Sequence, residues 1–208
     1  MTPPPTLGVV LAGGLSRRMG GGDKVLLTVD GLTLLDHAAQ RLAPQCDGLI
    51  VNANGDISRF GTSPYPVVPD LIEGHLGPLS GILTALEWTA AHRPGIAWVV
   101  SVPGDTPFIP ADLVQRLHHA RLASAQPLAC ASSGSRIHFA VGLWPVALQD
   151  DLRRALLAEG TRRIRDWAGR HGYAQASWPI EATDPFFNIN TPEDLAEAGL
   201  SARQEGAR

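Results

Sequence analysis

Short apolar runs, each closed by a polar or glycine-rich turn and followed by a stretch at helical spacing, set the rhythm of the first half of the chain. Residues 7–11, 49–52, 65–68 and 97–102 are such runs, and each predicts a buried strand. The last is apolar apart from Ser101, which suits a central parallel strand covered on both faces. Between them, residues 33–42 place Leu34, Leu35, Ala38, Ala39 and Leu42 on one helical face closed by Pro44, and residues 78–91 do the same with Leu79, Ile82, Leu83 and Leu86. A further helix is predicted over residues 111–123, and an apolar segment over 25–29 ends at the turn Asp30-Gly31. This alternation implies a mostly parallel α/β sheet with helices on both faces.

The second half changes rhythm. Residues 128–131 and 137–144 flank the turn Ser132-Ser133-Gly134-Ser135 and predict an antiparallel pair. Helical patterns follow over residues 146–159 and from Thr161, a predicted N-cap ahead of Arg162, Arg163, Arg165 and Trp167. Near the end, Thr191 as N-cap, Pro192 at the first helical position, and Glu193 and Asp194 in the first turn predict one more helix start. Residues 1–5 and 201–208 carry no apolar pattern and are expected to be mobile.

Composition narrows the class. A chain of 208 residues, 44% hydrophobic and 18% charged, fits a single domain with an ordinary core. A net charge of −3 opposes a general nucleic-acid binder. Cys46 and Cys130 have no metal-ligand spacing and are expected to be buried free thiols. No run approaches the roughly 18 apolar residues of a membrane span, and the first residues lack the pattern of a signal peptide. A soluble cytoplasmic protein is the expectation.

The chemistry concentrates in the loop after the first strand. Residues 11–24 read Leu-Ala-Gly-Gly-Leu-Ser-Arg-Arg-Met-Gly-Gly-Gly-Asp-Lys and hold five glycines, two arginines and a lysine. Glycines let successive backbone N–H groups approach phosphate oxygens, and Arg17, Arg18 and Lys24 supply positive charge. A Walker A loop is excluded, because Val25 follows Lys24 where a hydroxyl is needed. The dinucleotide fingerprint fails too, since Val25 holds the place of its third glycine. A glycine-rich surface loop with solvated charges is the plainer alternative.

Asp105 is the second centre. It follows the most strand-like run in the chain, within Pro103-Gly104-Asp105-Thr106-Pro107, where open α/β sheets bind ligands. Asp105 lies too far upstream to cap the next helix, and magnesium commonly takes one or two carboxylates together with phosphate oxygens and water. Asn52 and Asp70 close two other strands; a turn former is an equally natural reading of Asn52, and a solvated loop acid is the plainer reading of Asp70. Arg162 and Arg163 suit a phosphate, stacking on an aromatic ring or a solvated helix face, and His138 suits a substrate contact or a buried structural role.

Leu11-Ala12-Gly13-Gly14, Ser16, Arg18-Met19-Gly20 and Asp23-Lys24 fill the signature L-A-G-G-x-S-x-R-M-G-x-(x)-D-K, and the chain thereby resembles the molybdenum cofactor guanylyltransferases. Gly77-Pro78-Leu79-Ser80-Gly81, the stretch from Pro103 to Pro110, Gly160-Thr161-Arg162-Arg163 and the stretch from Phe186 to Leu195 are similar to further motifs of that family. His138-Phe139-Ala140 departs from its His-Pro-x. The resemblance spans nearly the whole chain.

It implies a three-layer Rossmann-like nucleotidyltransferase fold, GTP-binding in the N-terminal part and molybdopterin-binding in the C-terminal part. It implies transfer of GMP from GTP to molybdenum-molybdopterin with release of pyrophosphate. Arg18 and Lys24 would neutralise the triphosphate, and Asp105 would hold Mg²⁺, or Mn²⁺ in its place. Leu11, Ala12, Gly13, Gly14, Asn52 and Asp70 would hold the nucleotide, with Asn188 and Asn190 orienting metal-bound water or phosphate. The implied partners are these small molecules, with transient contact to molybdenum-insertion proteins or molybdoenzyme chaperones, no nucleic acid and no membrane; a monomer is favoured. The rivals are a cytidylyltransferase on the same acceptor, a sugar-1-phosphate nucleotidyltransferase, and a non-enzymatic cofactor carrier.

Overall fold

The computed structural model describes residues 2–13, 23–74, 76–181, 183–191 and 193–196. Gly14 and Arg18 of the glycine loop, Pro192 and the tail 201–208 lie outside the described residues. Among the described residues, strands and α-helices run in the order β1 (Thr6–Leu11), β2 (Thr28–Val29), β3 (Leu32–Thr33), α1 (Leu34–Leu42), β4 (Leu49–Asn52), β5 (Val67–Val68), α2 (Pro78–His92), β6 (Trp98–Pro103), α3 (Leu113–Ala123), β7 (Leu128–Ser133), β8 (Arg136–Pro145), α4 (Gln149–Leu157), α5 (Ile164–His171) and β9 (Tyr173–Trp178). Seven strands form one sheet in the order β5-β4-β1-β6-β8-β7-β9, and β2 and β3 make a separate two-residue ladder.

Strands β5, β4, β1 and β6 are parallel, β8 opposes both β6 and β7, and β9 is parallel to β7. The mostly parallel sheet and its antiparallel part in the second half stand as the sequence implies. Alternation along each strand divides the core between the two faces. Val10, Val51, Val100 and Val102 pack with α1 and α3 through Leu35, Ala38, Leu42, Leu113 and Leu117. Leu7, Val9, Ile50 and Val99 pack with α2, α4 and α5 through Leu79, Leu83, Leu86, Leu152 and Trp167. Helix α1 starts on the Thr33 capping box with Asp36, whose side chains and backbone amides bond reciprocally.

Some expectations are corrected. The strand expected at 65–68 is only Val67–Val68. Thr161 is not an N-cap: α5 begins at Ile164, while Thr161 N donates to Ala155 O and its hydroxyl accepts from Arg170 Nη2 at 2.8 Å, so the residue closes α4. Cys130 is buried but Cys46 only partly so, both are free, and burial pushes both thiols up to about 12. Residues 2–5 form no regular element, with Pro3 and Pro4 half-buried and Pro4 O accepting the Thr6 hydroxyl at 2.7 Å. No helix of the described residues is long and apolar enough to cross a membrane.

Candidate active site

The chain leaves β1 outward to β4 and β5, then returns over α2 to β6 on the other side of β1. The ends of β1 and β6 therefore border the crevice where open α/β sheets bind ligands. Leu11 pairs with Asn52 on one side and with Pro103 on the other, so the three strands end level. Backbone bonds carry the alignment one residue further, from Ala12 N to Asn52 O at 2.8 Å and from Gly104 N to Leu11 O at 2.9 Å. A Cβ on Gly104 would lie 3.0 Å from Val25 Cγ1, so glycine lets the Asp105 loop close on the segment carrying Lys24.

Lys24 Nζ donates to Asp105 Oδ2 at 2.5 Å and to Asn190 Oδ1 at 2.8 Å. Lys24 and Asp105 are mostly buried, at 13% and 20% side-chain exposure, so the pair is less screened than a surface ion pair. Asp105 Oδ1 is buried and, among the described residues, has no hydrogen-bond partner. Leaving such an oxygen unpaired costs about 1–3 kcal/mol, more when charged, so it suits a site that accepts a cation. Asn188 Oδ1 accepts the Thr106 hydroxyl at 3.1 Å, and Ile189 N donates to Asp105 O at 3.0 Å. The closing segment is thus stitched directly to the Asp105 loop.

A small third core holds these parts together. Val29, Leu34, Phe108 and Ile189 are buried against one another, with Leu27, Phe187 and Leu195 packed at the edge. These residues come from the stretch after Lys24, the Asp105 loop and the segment around Asn190. Ile189, fully buried between the two asparagines, fixes which way they face.

Across β1 lies a second polar cluster. Asn52 Nδ2 donates to Asp70 Oδ1 at 2.9 Å, Asn54 Nδ2 to Asp70 Oδ2 at 2.9 Å, and Asp70 N to Asn54 Oδ1 at 2.7 Å. Both carboxylate oxygens of Asp70 are thereby aimed by the ends of β4. Gly81 makes room for this: a Cβ there would lie 2.3 Å from Asn52 Oδ1 and 2.8 Å from Leu11 Cδ2. Gly77, at φ 80°, is the N-cap of α2, and Pro78 begins the helix.

Lys24, Asp105, Asn188 and Asn190 are brought together, as are Asn52 and Asp70, with Leu11, Ala12 and Gly13 between the groups. Arg18 and Gly14 lie outside the described residues. Arg162 donates to Leu156 O at 2.8 Å and Thr161 O at 3.0 Å and so caps α4, whereas Arg163 is exposed at the N-cap position of α5. His138 is buried, with Nε2 2.7 Å from Ser133 Oγ and 3.8 Å from Asp184 Oδ2, and desolvation holds its pKa below the usual value. Asn54, Thr106 and Ile189 had no role assigned in the sequence reading; only the two-residue offset of Asn54 from Asn52 hints at one.

A profile of the MobA-like NTP transferase domain matches residues 8–174. A molybdenum cofactor guanylyltransferase of Nitrobacter hamburgensis is 52% identical over 203 residues, covering 98% of this chain and 97% of its own length. One from Rhodopseudomonas palustris (strain HaA2) is 51% identical, covering 97% and 95%. The chain belongs to this family. Its fold is similar to that of molybdopterin-guanine dinucleotide biosynthesis protein A from Archaeoglobus fulgidus, with a TM-score of 0.70 at 20% identity over 96% of this chain and 99% of the other.

Proposed function

We propose that the chain is a single guanylyltransferase domain that moves GMP from GTP to the terminal phosphate of molybdenum-molybdopterin and releases pyrophosphate. The observation that carries this reading is the triad Lys24, Asp105 and Asn190 at the crevice between β1 and β6, with one Asp105 oxygen left without a partner among the described residues. An acceptor phosphate oxygen attacks the α-phosphorus of GTP in line, the bond to the bridging oxygen of the β-phosphate breaks, and pyrophosphate leaves. No side-chain nucleophile is required; positioning and charge neutralisation supply the rate.

Lys24 neutralises the triphosphate, joined by Arg18 on the strength of the signature. Leu11, Ala12 and Gly13 lie along the nucleotide, with Gly14 joined to them on the signature alone, and Asn188 and Asn190 orient phosphate oxygens. Asp105 would hold Mg²⁺, with Mn²⁺ as a substitute; when bound, the ion adds positive charge against the phosphates. Among the described residues no three His, Cys, Asp or Glu side chains converge, so the other ligands would be phosphate oxygens and water.

Asp70, aimed by Asn52 and Asn54, retains free lone pairs on both oxygens. A carboxylate so held accepts from the N1–H and amino groups of guanine, whereas cytosine offers an amino donor beside two acceptors. The acceptor enters from the side of the later strands, where Arg162 and Arg163 remain open as pterin contacts. The protein works as a cytoplasmic monomer on these small molecules, handing its product on by transient contact with insertion proteins or molybdoenzyme chaperones. The test is transfer of label from α-labelled GTP into a pterin-containing product. Label transfer by wild type, and its loss in a folded Asp105→Ala variant, is the expected result; equal transfer by both overturns the assignment of Asp105.

A further inference from the structure

The lysine that faces Asp105 is preceded by a second acid. Asp23 is the first described residue after the glycine loop, and its carboxylate lies one residue from the group that must neutralise a polyphosphate. An anion there costs binding energy unless something offsets it. Arg59 does so from the short 3-10 helix Ile57–Phe60, in the connection between β4 and β5. Its Nε lies against Asp23 Oδ2, both side chains being about three-quarters buried, at 25% and 21% exposure.

Several features fix the guanidinium in that place. Arg59 Nη1 donates to Asp56 O at 2.7 Å, and its Cζ lies 4.5 Å from the centroid of the Phe60 ring. Asp56 in turn caps the short helix by accepting from Ser58 N at 2.9 Å. Gly55, at φ +82°, has no side chain to obstruct it; a Cβ there would lie 3.3 Å from Arg59 Nη1. Its partnership with Asp23 is one of charge and close contact.

We infer that Arg59 is a positioning residue: it cancels the charge of Asp23 and ties the exit of the glycine loop to the β4–β5 connection, so that Lys24 stays with Asp105 and Asn190 at the phosphate site. Without it, the unpaired Asp23 carboxylate competes for the Lys24 ammonium and repels the triphosphate. The effect should appear in nucleotide affinity and depend on Asp23. This inference rests on the nucleotide-binding reading above, and two separate comparisons keep the two apart.

The test is a double-variant cycle read by calorimetric titration of Mg·GTP, with thermal unfolding run on each protein. Arg59→Met should weaken Mg·GTP binding about tenfold in the natural background and twofold or less in the Asp23→Asn background, the pattern of a coupled charge pair. Arg59→Lys, which keeps the charge, should recover most of the affinity. Equal losses in both backgrounds, or an Arg59→Met protein that binds as wild type does, overturns the role assigned to Arg59. A folded wild-type protein that does not bind Mg·GTP overturns the nucleotide reading itself, and the role of Arg59 with it.

Discussion

Ile189→Ala separates the packing that builds the site from the polar groups that act in it. Ile189 is fully buried in the small core with Val29, Leu34 and Phe108. Truncating a buried isoleucine to alanine costs about 2–5 kcal/mol, and a small peripheral cluster that can partly collapse belongs near the lower end, about 2–3 kcal/mol. The loss falls on the joint between Asn188, which accepts from Thr106, and Asn190, which accepts from Lys24 at 2.8 Å. A shift of about 1 Å there breaks that bond, and misplacement of this size costs up to about a hundredfold in rate. Pyrophosphate release at a temperature where urea titration shows the variant fully folded should fall about 10- to 100-fold in kcat. Ile189→Val, which removes one methylene, should cost about 1 kcal/mol and stay within threefold of wild type. An Ile189→Ala protein that is destabilised as expected but turns over within twofold of wild type would refute the reasoning.

Lys24→Ala should remain folded by circular dichroism and lose at least about a hundredfold in turnover, the scale of a preorganised charge-stabilising group. Gly81→Ala should raise the KM for nucleotide more than it lowers kcat, because the new methyl meets Asn52 Oδ1 and Leu11 rather than the Lys24–Asp105 pair. His118 gives a pH prediction. Its Nε2–H donates to the Thr6 hydroxyl at 2.8 Å, Arg121 Nε donates to its Nδ1 at 3.2 Å, and burial with the nearby guanidinium lowers its pKa from 6.5 to about 4. The unfolded chain therefore binds a proton that the folded one refuses, so stability falls as pH drops from about 6.5 to 4. The loss is roughly 2 kcal/mol after allowance for solvent screening. Thermal unfolding across that window should show a slope that His118→Gln reduces.

What the sequence made legible was local. Residues 7–11, 49–52 and 97–102 are covered on both faces, so their apolar runs announced β1, β4 and β6, and the turn at 132–135 announced the β7–β8 pair. β9 was missed because two of the three inward residues of Tyr173–Trp178, Ala174 and Ala176, are too small to stand out from Gln175 and Ser177. Thr161 misled because a hydroxyl after Gly160 looks like a helix start, whereas it ends the preceding helix. The glycine loop, Asp105 and the two asparagines were legible as motifs. Their joint was not, because Val29, Phe108 and Ile189 are far apart in the chain and meet only once the sheet has formed. The partnership of Arg59 with Asp23 was hidden in the same way, by a separation that no periodicity spans.

The most direct test of the central claim is pyrophosphate release from GTP, CTP, ATP and UTP in turn, with Mg²⁺ and molybdenum-loaded molybdopterin present or withheld. Release from GTP alone, dependent on the pterin, is the predicted result. Release from CTP in preference to GTP would contradict the reading of Asp70 as the guanine-facing acid, and no release from any nucleotide would contradict guanylyl transfer.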